Sequence, residues 1–141
     1  MSYNDDLNAH WFGGKPKPVP PLRLTGKDLA IRNKRIDKRD GQRCARCGVI
    51  IWSGGSRHHR KFKSRRGGDE VSNGVLLCGS GTTGCHGWVH SNPVSARMVG
   101  LALNTNDNPR LVPVRHAAFG GMDVWLDDLG NASLTPPRLA A

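Results

Sequence analysis

Apolar residues in this chain come in short runs separated by turn-forming residues. Leu29, Ile31 and Ile36 make a thin stripe that predicts a helix over about 27–37, with Thr25 as its cap and Asp28 near its positive end. Asp40-Gly41 reads as a turn, and the β-branched run Val49-Ile50-Ile51-Trp52 as a strand. Ser53-Gly54-Gly55-Ser56 turns the chain back into a second strand over about 57–61. A long basic loop from Phe62 to Asp69 follows, with Gly67-Gly68 at its tip, and Val75-Leu76-Leu77 forms a further strand running into Cys78. A helix is predicted from Cys85 or His86 to about Ser91, where Asn92 and Pro93 cap and start another that Gly100 ends after Met98. Beyond it, Leu101–Leu103, Leu111–Val114 and Met122–Leu126 alternate with turn signals at Asn108-Pro109, Gly120-Gly121 and Gly130-Asn131, a pattern of short hairpins or a loosely ordered tail.

Composition narrows this to one small domain with tails. Of 141 residues 37% are apolar, with 18 Gly and 9 Pro, so the core is small and a metal staple is expected. Three segments are expected: an extended Pro-rich basic arm over 1–24, a domain over 25–100 and a tail of short strands over 101–141. Lys15-Pro16-Lys17-Pro18-Val19-Pro20-Pro21 gives the arm its stiffness, and Trp11 and Phe12 are its expected anchor. A net charge of +10, from 21 Lys and Arg against 11 Asp and Glu, makes a polyanion the natural partner. Arg32, Lys34, Arg35, Lys38, Arg39, Arg43 and Arg46 cluster on and after the first helix with few acids among them, and read as phosphate contacts. No secretory signal or membrane-spanning run is seen, so a reducing cytoplasm is expected, where cysteines read as zinc ligands before disulfides.

The chemistry-bearing residues concentrate between Arg57 and His90. Cys44-Ala45-Arg46-Cys47-Gly48 has the form of a zinc knuckle, and Cys78 with Cys85 can complete a structural zinc site of four thiolates. His86 and His90 are four apart, so on a helix both rings leave one face and can share an ion. His58 and His59 are neighbours on a strand and point to opposite sides. One of them can then join His86 and His90 on a divalent cation while the other stays neutral and able to take a proton. The competing partition puts a histidine into the zinc tetrahedron and leaves no working ion.

His58-His59, Gly67-Gly68, Ser72-Asn73, Leu77-Cys78 and Cys85-His86-Gly87-Trp88-Val89-His90 together resemble the HNH endonucleases, in the zinc-stapled form found in bacteriophages, over about residues 39–92. The resemblance implies an α+β fold: a small, treble-clef-like ββα-metal core with structural zinc, preceded by a basic helix and followed by a hairpin-like tail. It further implies that His59 is the general base, that His58, His86 and His90 bind one catalytic cation (Mg²⁺, Mn²⁺, Ni²⁺ or Zn²⁺), and that Asn73 holds the base-bearing segment. Double-stranded DNA would be the substrate, cut to 5′-phosphate and 3′-hydroxyl ends, with terminase or other packaging proteins as possible partners. Arg35, Arg39, Arg43, Arg57, Arg60, Lys63, Arg65 and Arg66 are the candidate DNA contacts. Two departures stand out: His58 occupies a position where many relatives carry Asp, and the Cys78–Cys85 spacing is longer than the usual knuckle. A zinc-containing DNA-binding or packaging accessory module without catalysis would share the charge and the cysteines.

Overall fold

A computed structural model of the chain describes residues 19–138. Most of the expected arm, including Trp11 and Phe12, lies outside the described residues. The described residues form a mixed α+β structure with three helices and two small antiparallel sheets. No helix among them is long and apolar enough to cross a membrane.

Helix α1 spans Gly26–Arg39, with Asp28 in its first turn and Lys38 and Arg39 in its last, matching the helix dipole at both ends. Thr25 is extended at the N-cap position, but its side chain makes no capping bond. The stripe that α1 buries is Arg32, Ile36 and Arg39, at i, i+4 and i+7, whereas Ile31 is half exposed. Gly74 lets this face approach closely, because a Cβ there would stand 2.3 Å from Ile36 Cδ1.

Strands β1 (Ser56–His59) and β2 (Gly74–Leu77) pair antiparallel, with His58 opposite Val75 and His59 opposite Gly74. All four residues of β2 are buried, and the strand runs between α1 and α2 (Gly84–Ser91). Helix α3 (Pro93–Met98) follows after Asn92, whose amide donates back to Trp88 O at 3.0 Å instead of capping α3. The run Val49–Trp52 is not a strand. Cys44 N donates to Val49 O and Ile51 N to Gln42 O, so these residues close the tight turn of the knuckle, and Trp52 is left 85% exposed. Gly67 and Gly68 do not form an exposed loop tip either. Both are buried, and a Cβ on Gly67 would collide with the Lys61 carbonyl, so the loop folds back on the end of β1.

Strands β3 (Val114–His116), β4 (Met122–Leu126) and β5 (Ala132–Ser133) form the second sheet. Residue 100 does not divide the core. Leu101, Ala102, Val114, Val124 and Leu126 belong to one buried cluster with Cys44, Val75, Leu77, Cys85 and Val89. Buried polar groups bind the same parts together. Asp40, fully buried, accepts from Leu76 N at 2.8 Å and Arg39 Nε at 2.8 Å, and its Oδ1 lies 3.0 Å from His116 Nε2.

Two of the candidate DNA contacts are structural instead. Arg39 donates to Asp40, Val71 O and Gly74 O, tying the end of α1 to β2. Arg60 is fully buried and donates to the carbonyls of Gly100, Ser72, Pro109 and Val112 at 2.6–3.1 Å. A guanidinium suits this place because its planar fork distributes several donors at once. Burial lowers the Arg60 pKa to about 9, so it remains charged at neutral pH and cannot reach a phosphate. Arg32 is likewise buried, with Nε 3.3 Å from Asp69 O. Arg60→Ala strips four carbonyls of their donor and is expected to cost at least about 3 kcal/mol in urea unfolding. Arg60→Lys should restore only a minor part, since an ammonium cannot span the same acceptors.

Candidate functional site

Two clusters of ligand atoms form where the hairpin meets α2, one of four sulfurs and one of three imidazoles. In each, the atoms lie within 4.8 Å of one another.

The sulfurs of Cys44, Cys47, Cys78 and Cys85 come from the knuckle turn, the end of β2 and the first turn of α2. Backbone donation from Gly48 N to Cys44 O closes the knuckle, and Gly48 takes φ +79°, a conformation natural to glycine. A tetrahedral ion with Zn–S bonds of about 2.3 Å requires sulfurs about 3.8 Å apart. Cys47 Sγ and Cys78 Sγ are 3.8 Å apart, too far for a disulfide and fitting for a shared ion. Burial pushes the Cys85 thiol up to about 12, so four thiolates this close need a cation to exist together. Arg46 supports the cluster: Nη1 lies 3.6 Å from Cys85 Sγ while the guanidinium stacks 3.7 Å over the Trp88 ring. These cysteines can hold a structural metal such as zinc.

The imidazoles of His58, His86 and His90 face a cleft of about 330 Å³, lined also by Arg57, His59, Phe62, Lys63 and Ser64. His86 and His90 sit one turn apart on α2, with Nε2 atoms 3.1 Å from each other. Metal–nitrogen bonds of about 2.05 Å place two ligand nitrogens about 2.9 Å apart at a right angle and about 3.4 Å apart in a tetrahedron, a range that holds the observed value. His58 is buried, and its Nε2 lies 2.7 Å from the Leu101 carbonyl. A carbonyl only accepts, so Nε2 carries the proton and Nδ1 is left as the ligand atom, the usual arrangement of a metal-binding histidine with its outer partner. Burial lowers the His58 pKa to about 3, and burial with the neighbouring His90 and His59 lowers that of His86. Both are therefore neutral, as ligands must be. These three residues are placed so that they could hold a metal ion.

His59 stands outside that cluster. Its Nε2 lies 2.7 Å from Asp69 Oδ1, and Asp69 Oδ2 accepts from Leu24 N at 2.9 Å. Burial lowers the His59 pKa, with the Asp69 contact opposing in part, so the ring is neutral near pH 7. Asp69 is also buried. Burial raises its pKa, but the His59 and Leu24 donors outweigh this and hold the carboxyl below its ordinary value. Asn73, fully buried, closes the frame: Oδ1 accepts from Lys61 N at 2.7 Å, and Nδ2 donates to Lys61 O and Gly68 O. It thus ties the residues after His59 to the loop before Asp69.

The remaining basic residues are distributed unevenly. Arg57 and Lys63 line the cleft, with Arg57 held by a two-pronged ion pair to Asp37 at 2.6 and 2.9 Å. Arg35 and Arg43 are exposed but do not line this cleft. Arg65 and Arg66 donate to Leu103 O and Val19 O, each keeping its charge near the surface. Sequence reasoning missed Asp69, the Leu101 carbonyl and Phe62, whose ring packs 4.9 Å from His90. For Asp69 a signal existed, as the first acid after a run of basic residues and two glycines.

No family model matches the chain, and no curated protein or solved structure matches it.

Chelation, or Cys44→Ser, should release bound zinc and unfold the domain, read as loss of near-UV dichroism together with metal analysis. A folded, metal-free protein would contradict the four-sulfur site. Acid should destabilise the fold through His58. Its folded pKa of about 3 lies below the ordinary imidazole value of 6.5, so the unfolded chain gains a proton first. Stability should fall as pH drops from about 6.5 toward 3, by up to about 1.4 kcal/mol per pH unit from this group. His58→Gln should show a shallower pH dependence in denaturant titrations.

Proposed function

We propose that this protein is a metal-dependent DNA endonuclease of the HNH type. The observation that carries the reading is a cleft holding three imidazoles at ligand distances beside a fourth, His59, kept out of the cluster by a carboxylate. The order β1, β2, α2, with Asn73 bridging the segment between the strands, agrees with a ββα-metal core, and the +10 charge agrees with a polyanionic substrate.

A divalent cation on His58, His86 and His90 would supply Lewis acidity at the scissile phosphate and its leaving oxygen. His59, neutral near pH 7, takes the proton from the attacking water. Arg57 and Lys63, on the cleft wall, offer the charge that holds phosphate there, and the Arg57–Asp37 pair fixes the direction of that guanidinium. Asn73 keeps the backbone after His59 in place and does not touch substrate. Arg35 and Arg43 contribute charge outside the cleft, which steers DNA and adds to salt-sensitive affinity.

The test is nicking of supercoiled plasmid with Mg²⁺, Mn²⁺, Ni²⁺ or Zn²⁺ added in turn. His59→Ala should slow cleavage by about 10²- to 10⁴-fold while DNA binding persists, and His90→Ala should abolish the response to added metal. Equal activity of wild type and His59→Ala would overturn the mechanism. Salt-dependent binding without cleavage under any of the four metals would point to a binding module instead.

A further inference from the structure

Asp69 performs a task that an ordinary buried carboxylate at a loop end does not require. Both of its oxygens are committed as acceptors, Oδ2 from the Leu24 amide at 2.9 Å and Oδ1 from His59 Nε2 at 2.7 Å. A backbone amide can only donate, so the Leu24 bond fixes which oxygen turns toward His59. Behind the carboxylate stands Arg32, only 4% exposed, whose Nε approaches Asp69 O at 3.3 Å and whose Nη2 has no hydrogen-bond partner among the described residues. That guanidinium is a nearby buried positive charge, which adds to the His59 and Leu24 donors in keeping Asp69 in its acceptor-only, ionised form. Asn73 fixes both ends of the intervening loop, through Lys61 on one side and Gly68 on the other.

We propose that Asp69, anchored by the Leu24 amide and backed by Arg32, is a positioning residue that locks His59 as the Nε2–H tautomer and leaves Nδ1 as the free base nitrogen. This rests on the endonuclease reading, in which His59 is the base. The free nitrogen must carry a lone pair, and only an acceptor at Nε2 guarantees that. Asparagine, almost the same shape, cannot replace the carboxylate. It has one oxygen for two donors, so with that oxygen on Leu24 its NH₂ faces Nε2 and forces the proton onto Nδ1.

The experiment uses the full chain, zinc-loaded and ¹⁵N-labelled, in wild-type and Asp69→Asn forms. Nitrogen shifts of His59, identified by their loss in His59→Gln, report the tautomer without DNA or catalysis. The expected result is Nε2–H in wild type and Nδ1–H in Asp69→Asn. Plasmid cleavage by Asp69→Asn should fall by about 10²-fold or more in kcat with KM little changed. A purely structural role would leave the isosteric variant with the wild-type tautomer and rate. Nδ1–H in wild type, or an Asp69→Asn variant that keeps Nε2–H or cleaves at the wild-type rate, overturns the inference. Absence of cleavage by wild type with every metal tested, alongside the expected tautomers, overturns the endonuclease reading and leaves the Asp69 lock standing.

Discussion

The mutual approach of four sulfurs is the constraint on which the rest of this small protein depends. Thiolates repel one another, and Cys44 and Cys47 are separated from Cys78 and Cys85 by the whole β1–β2 hairpin. A cation held among them would turn repulsion into a cross-link between the knuckle, β2 and α2. The position of α2 follows directly: Cys78 O accepts from His86 N, and Cys85 N lies 3.4 Å from Cys78 Sγ. Because His86 directly follows Cys85 of the sulfur cluster and His90 lies one turn further on, that cluster sets where both imidazoles stand. The structural site is therefore the scaffold of the second cluster, and the two cannot vary independently.

Around this scaffold guanidinium groups hold the interior together alongside the hydrocarbon core. Arg32, Arg39 and Arg60 are buried, and Arg39 and Arg60 give most of their donors to backbone carbonyls. A chain with many short, irregular segments has many carbonyls without a regular partner, and each left dry and unpaired is costly. A planar, permanently charged fork satisfies several at once. Part of the positive charge that suggests a polyanionic partner is thus internal, and the free charge is carried by residues such as Arg35, Arg43 and Lys63.

The sequence made much of this legible where side chains carry the information. Helix α1, strand β2 and helix α2 follow from apolar spacing and turn residues, and the cysteines follow from their spacing. Val49–Trp52 has strand-like composition, but the knuckle turn consumes its backbone hydrogen bonds. Arg39 and Arg60 read as surface charge because their partners, main-chain carbonyls, leave no mark in a sequence. The same blindness hid Leu101, which acts on His58 through its carbonyl, not its side chain. Asp69 was obscured for another reason: its partner lies across a loop whose return path depends on the Asn73 bridge.

The Leu101 carbonyl has a wider implication. His58 is oriented by a main-chain atom of the segment that Arg60 fastens through Gly100 O and Leu103 N. No point mutation at residue 101 short of proline-like backbone change alters that acceptor, yet any insertion or deletion between 97 and 103 displaces it. The acceptor is therefore indifferent to the identity of residue 101, whose fully buried side chain answers to the core, while the cleft depends on the register of this stretch. Side-chain packing and chain register are two separate demands on the same residue, one from the core and one from His58.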